Sequence, residues 1–168
     1  MNRLKQEFLD ILSSYQGILH KVTLVYYKTK AEREDLFQEI LYQLWKSFPK
    51  LKNRESIGSW IYKVAINTSL SQINKNKRIE FYGNLPNISA SESTEEQLIK
   101  NEETRLLLTA IHQLNDIDKT IMLLYLDEKS YDEMAEITGL SVSNIGVKIN
   151  RAKKELYKHL TKIYHERK

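Results

Sequence analysis

Residues 130–158 read SYDEMAEITGLSVSNIGVKINRAKKELYK, a run with two helix-start signals separated by a single glycine. Ser130 with Glu133 three residues on spells a capping box, in which hydroxyl and carboxylate each take an orphan backbone N–H. Met134, Ala135 and Ile137 then fall on one helical face. Gly139 can take the positive φ that ends a helix, and Leu140 can plug the corner that follows. Ser141 caps a second helix in which Ile145, Ile149, Ala152 and Leu156 recur at helical spacing. Ala135 is small enough for the two helices to approach closely. A short helix, a glycine turn and a second helix of this pattern form a helix-turn-helix.

The opposite face of the second helix carries Ser143, Asn144, Val147, Lys148 and Arg151, with Lys154 beyond them. Amides and cations on an unburied helix face are the groups that bond base edges and phosphates. The bland alternative is a helical hairpin with a solvated face. The placement of Ala135, Gly139 and the apolar positions favours the DNA-reading one. Gly146 admits two readings: a plain helix-propensity cost of about 1 kcal/mol, or room for close approach to a DNA backbone.

Outward from this motif the chain stays helical. Only five Gly and two Pro punctuate its 168 residues, and apolar residues recur at helical intervals. The predicted fold is all-α, with two small helical domains: 1–80, a linker at 81–94 rich in turn formers, and 95–168. Phe8, Ile11, Leu12, Tyr15, Ile18, Leu19 and Val22 predict a first helix bent or broken near Gly17. A second covers about 31–47, with Glu32, Glu34 and Asp35 in its first turn. A third runs from about Ser56 to Lys77. Ser93 and Glu96 spell another capping box, opening a helix that ends near Leu114, and a further helix covers 116–126.

Net charge is +4, and its distribution says more than its sum. Lys148 to Lys168 is strongly basic, Lys63 to Arg78 contains no acid, and Ser91 to Glu103 is acidic. Clustered cations suit polyanions, although a charge run is often only a solvated face. With no cysteine there are no disulfides, thiolate metal sites or Cys nucleophiles. His20, His112, His159 and His165 lack metal-ligand spacing, and there is no glycine-rich phosphate loop. No catalytic residue, metal, cofactor or small-molecule substrate is expected. No apolar run is long enough to cross a bilayer, and a cytoplasmic location is expected.

Two segments of the first unit present polar faces. On the second helix Leu36, Phe37, Ile40, Leu41 and Leu44 point one way, while Asp35, Gln38, Glu39 and Tyr42 point the other. That face is either plain solvated surface or a seat for a helical partner. On the third helix Trp60 and Tyr62 precede cations and amides. They stack on single-stranded bases or, on pattern alone the better reading, serve as core and boundary residues.

Three separated motifs together resemble one family. They are Glu34-Asp35-Leu36 with Gln38, Glu39 and Trp45; Ser59-Trp60-Ile61-Tyr62-Lys63-Val64-Ala65 with Asn67; and Tyr131 to Ser141 followed by Asn150 to Leu156. Their order and spacing over nearly the whole chain resemble the extracytoplasmic-function (group IV) sigma factors of bacterial RNA polymerase. The resemblance implies a partner, core RNA polymerase, and a ligand, promoter DNA. Region 2 would set Asp35, Gln38, Glu39 and Tyr42 against the β′ clamp helices. It would capture the melted −10 element with Lys50, Lys52, Asn53, Ser56, Trp60, Lys63, Asn67, Lys75 and Arg78. Region 4 would read the −35 element through Ser143, Asn144, Val147, Lys148, Arg151 and Lys154 and pack on the β flap. The resemblance further implies an anti-sigma factor, and domains that are mobile or held by that inhibitor. Ser71, Asn74, Asn115, Ser143, Asn144 and Gly146 depart from the family's usual residues, so its promoter preferences do not transfer. A conventional repressor would share the helix-turn-helix but would have no need of the 35–45 helix.

Overall fold

The computed structural model describes residues 2–83, 99 and 101–168, with the backbone alone at 78–83. Among these residues there are seven α-helices, one 3-10 turn and no strand. Helix α1 spans Arg3–Tyr26 and is capped by Asn2, whose Oδ1 accepts the Leu4 N–H at 3.1 Å. It buries Phe8, Leu19 and Val22, with Ile11, Leu12, Tyr15 and Ile18 packed beside them. The break expected at Gly17 does not occur. Nothing lies within 4 Å of the place where a Cβ would sit there. The glycine occupies open surface, and the apolar stripe on either side keeps the helix continuous.

Helix α2 (Lys30–Ser47) is capped by Thr29. Because it starts at Lys30, Glu32 is the only acid in its first turn, and Glu34 and Asp35 lie further in than expected. Leu36, Ile40 and Leu44 are buried as the pattern required. A 3-10 turn over Phe48–Lys50 follows, then α3 over Ile57–Gly83, longer than its expected end at Lys77. The start of the expected linker, 81–83, therefore belongs to α3; 84–94 lies outside the described residues.

In the second unit α4 (Glu102–His112) is opened by Asn101, which accepts the Thr104 N–H at 2.8 Å. Ser93 and Glu96 lie outside the described residues, and the helix ending near Leu114 does not begin with them. Asn101 is the cap because Asn meets an exposed N–H as well as Ser does. Asn115 likewise caps α5 (Asp116–Leu126), accepting the Asp118 N–H at 2.8 Å. Both halves of the Ser130–Glu133 capping box form at the start of α6 (Tyr131–Thr138), at 3.1 and 2.7 Å. Gly139 has φ 76°, and Ser141 caps α7 (Val142–Glu166). Ile145, Ile149, Ala152 and Leu156 are all buried.

Gly146 lies inside α7, where an added Cβ would meet the Tyr131 Cε2 at 3.6 Å, an ordinary contact distance. Gly146→Ala therefore gains helix propensity, worth about 1 kcal/mol, without a clash. Thermal denaturation should show a melting temperature higher by roughly 2–4 °C. A lower one would mean that the methyl displaces Tyr131.

The units are not separate, as free motion about the linker would have them. Helix α1 packs along α4 and α5, and α3 packs against α6. Buried side chains from both units form one continuous core. Polar contacts cross the same seam. Asp127 accepts from Lys21 Nζ at 2.5 Å and from the Tyr62 hydroxyl. Tyr26 bonds Thr120, and Lys77 reaches Asp116 at 3.1 Å. Burial would raise the Asp127 carboxyl, but the bonds from Lys21 and Tyr62 and the nearby Lys129 hold it below its ordinary range. Burial, with Asp127 as its acceptor, pushes the Tyr62 hydroxyl far upward.

His112 joins this seam at 2.7 Å from the Leu24 carbonyl, so its Nε2 carries the proton. Burial lowers its pKa; the carbonyl opposes that, and Lys119, Lys28 and Arg33 lower it further. A depressed folded-state pKa means full stability above the ordinary imidazole value of about 6.5, lost as pH falls through the folded value. Melting temperature should therefore fall between pH 7.5 and 5, and His112→Gln should flatten that part of the profile. An equal slope in the variant would assign the effect to other groups.

Candidate polymerase and nucleic-acid interfaces

Three surfaces emerge from this frame. The first is the outer face of α2, where helical spacing brings Asp35, Gln38, Glu39 and Tyr42 together. Asp35 and Gln38 are exposed and Tyr42 is 56 % exposed. Glu39 is half-buried and accepts from Gln43 Nε2 at 2.8 Å. Trp45, one turn on, is 39 % exposed and meets Phe8 edge-on at 5.1 Å. Acids, an amide and two aromatics on one face can take a partner through both charge and apolar area. Trp45 is absent from the predicted site residues, and its exposed aromatic surface extends the same face.

The second surface runs from the loop after α2 onto α3. Lys50, Lys52 and Asn53 are exposed, and Ser56 is half-buried. Asn53 Oδ1 accepts the Glu55 N–H at 3.0 Å, fixing a local turn. Arg54 pairs with Glu7 of α1 and stands 5.0 Å over the Phe48 ring, which ties the loop to the helical frame. Sequence reasoning missed Arg54, since its partners lie elsewhere along the chain and leave no local pattern. The ring of Trp60 is half-buried, 6.3 Å from Phe48. Tyr62 is fully buried, so it is a core residue and offers no stacking platform. Lys63, Asn67 and Lys75 are exposed along α3, and the Arg78 side chain lies outside the described residues.

Asn67 and Lys75 share a polar groove of about 600 Å³ between α2 and α3 with Glu39, Gln43, Ser71 and Gln72. The groove makes the α2 face and the α3 face neighbours. Gln72 Oε1 is buried there without a partner. Gln43 and Gln72 were not predicted, and their hydrophilic positions looked like plain helix surface.

The third surface is the start of α7. Ser143, Arg151 and Lys154 are exposed, and Val147 is 67 % exposed. Asn144 and Lys148 are half-buried and line a crevice of about 270 Å³ with Ile66, Asn67 and Leu70 of α3. Among the described residues no cluster of His, Asp and Glu could hold a metal ion. Nor is any described helix long and apolar enough to cross a membrane.

Comparison with known proteins agrees with this layout. The model for Sigma-70 region 2 matches residues 11–79, and that for Sigma-70 region 4 matches 104–156. The sigma factor SigV of Bacillus subtilis is 26 % identical over 94 % of this chain and 93 % of its own length. The extracytoplasmic-function sigma-E factor of Haemophilus influenzae is 24 % identical over 89 % of this chain and 85 % of its own. In solved structures, the sigma factor RpoE of Bartonella quintana, in complex with the anti-sigma factor NepR, has a similar fold. Its TM-score is 0.72 at 19 % identity, covering 94 % of this chain and 96 % of that one. At that identity the likeness speaks for the fold alone.

A helix-turn-helix unit and a polar-faced helical unit, matched in order to regions 4 and 2, define a promoter-recognition subunit. The chain belongs to the sigma-70 family of RNA polymerase sigma factors. As such it binds core RNA polymerase and directs promoter recognition in transcription initiation. Its relatives include sigma factors of the extracytoplasmic-function type.

Proposed function

We propose that this chain is a group IV, extracytoplasmic-function sigma factor that acts in the cytoplasm and has no catalytic residue of its own. Region 2 occupies 1–80, the connector 81–94 and region 4 95–168. Asp35, Gln38, Glu39 and Tyr42 seat on the β′ clamp helices of core polymerase. Lys50, Lys52, Asn53, Ser56, Trp60, Lys63, Asn67, Lys75 and Arg78 hold the −10 strand. Ser143, Asn144, Val147, Lys148, Arg151 and Lys154 read the −35 duplex, while region 4 also packs on the β flap. An anti-sigma factor regulates it, as the similar RpoE structure is of a complex with one.

The observation that carries this reading is the exposure of the acidic and aromatic α2 face in a chain that also has a capped, well-packed helix-turn-helix. A repressor reading explains the second feature and leaves the first unused. The test is a pull-down of purified bacterial core polymerase with this chain, followed by run-off transcription from a promoter library. Stoichiometric binding with selective initiation is expected. Lys148→Ala should weaken promoter binding at the upstream element and leave core binding intact. Unchanged promoter affinity in that variant would remove Lys148 from the −35 site, and duplex binding without core binding would favour the repressor.

A further inference from the structure

We propose that the polar groove between α2 and α3 is a base pocket for a nucleotide whose base carries an exocyclic amino group, cytosine or adenine. The proposal rests on the assignment of Asn67 and Lys75 to the −10 strand, and it supplies the base preference that this assignment lacks. The groove is built wholly from two helices of one unit, with Glu39 and Gln43 on one wall and Asn67, Thr68, Gln72 and Lys75 on the other. Its volume, about 600 Å³, is that of a small-ligand site. Gln72 stands about 22 Å along α3 from the start of the helix at Ile57, so the groove is distinct from the 50–56 loop.

The hydrogen bonds of this groove are out of balance. Gln72 Oε1 is buried there with no donor, a state that folded proteins seldom leave uncorrected. Gln43 turns its Nε2 to Glu39 at 2.8 Å, which leaves its Oε1 as the atom it can offer. Thr68 donates its hydroxyl to the Val64 carbonyl at 2.7 Å and keeps only lone pairs. The walls are thus rich in acceptors and call for N–H donors. Lys75 adds the opposite demand. It is exposed, forms no ion pair among the described residues, and belongs to the run from Lys63 to Arg78 that holds no acid. A ligand that brings amino hydrogens to the walls and an anion to Lys75 is an amino-bearing nucleotide. Cytosine offers its N4 amino group and adenine its N6, whereas thymine and uracil set an O4 acceptor at the same place. An acceptor there meets acceptors and is refused. An arginine from a protein partner would also bring N–H donors, but the cations of α3 repel it.

The test begins with the full chain, nitrogen-15 labelled and titrated with dCMP and with dUMP, which differ only at ring positions 3 and 4. In NMR spectra dCMP should shift the side-chain amide signals of Gln72, Gln43 and Asn67, and should bind about tenfold or more tightly than dUMP. Gln72→Met removes the acceptor while keeping side-chain length and helix propensity, and should bring dCMP down to the dUMP affinity. Melting temperature in that variant should not fall, since the acceptor it loses had no partner. Run-off transcription by the reconstituted holoenzyme, with each −10 base varied in turn, tells a strand base from a free nucleotide. The parent should prefer cytosine or adenine at one position, and Gln72→Met should lose that preference there and nowhere else. Equal responses to dCMP and dUMP, or a preference that survives Gln72→Met, overturn the pocket. So does a response to arginine amide alone, which would hand the groove to a protein side chain. A dCMP preference with no change at any promoter position overturns the strand as the source and leaves a free-nucleotide site. Failure to bind core polymerase would strike the polymerase reading instead, and the nucleotide titration would still decide the pocket.

Discussion

Ile145→Ala should cost about 2–5 kcal/mol of folding free energy and remove −35 binding at temperatures where the parent protein still binds. Ile145 is fully buried, one turn into α7, beneath the segment that presents Ser143, Asn144 and Lys148. Truncating it leaves a cavity where α6 and α7 pack. Ile145 belongs to the buried face by which α7 packs on α4, α5 and α6, so the cavity weakens the support of the whole motif. A domain has only about 5–15 kcal/mol of stability in all, so the loss is a large fraction. Denaturant titration measures it as a fall in midpoint. A change below about 1 kcal/mol would mean that the space collapses and that Ile145 is not a keystone of the motif.

Asp35→Ala combined with Gln38→Ala should weaken core-polymerase binding by about 10- to 100-fold, with little effect on melting temperature. Both side chains are exposed on α2, while the residues that hold the helix, Leu36, Ile40 and Leu44, face inward and are untouched. Duplex binding by the C-terminal helices should be unchanged, which separates this variant from Ile145→Ala. Competition binding against a labelled parent chain reads the difference. Normal affinity would take the clamp contact away from this face.

The helix-turn-helix was legible because every determinant is local. Ser130 and Glu133 are three residues apart, Gly139 needs a backbone that only glycine takes cheaply, and the apolar positions follow the helical period. The α2 face was legible for the same reason. What local pattern could not supply was the choice among equivalent signals. Asn101 and Ser93 are both good caps, and tertiary packing decides which one a helix uses. Trp60 and Tyr62 are aromatics two positions apart, yet one is at the boundary and the other wholly inside. Gly17 suggested a break that the stripe of Phe8, Leu19 and Val22 prevents. Least legible were pairs remote in sequence: Arg54 with Glu7, Tyr62 with Asp127 and Lys21 with Asp127. The two Asp127 pairs unite the two units, and nothing in hydrophobic periodicity encodes any of the three.

Helix α3 is unbroken over its 27 residues, so at 1.5 Å per residue it is a strut of roughly 40 Å. One end is anchored in the loop that Arg54 pins to α1, and the other hands the chain to the connector. The point where the chain leaves α3 is thus fixed in the coordinate frame of that loop. Adding four residues to this helix would carry that departure point about 6 Å further and turn it by about 40°. The strut acts as a ruler, and its length in turns sets where, and in which direction, the chain leaves the first unit.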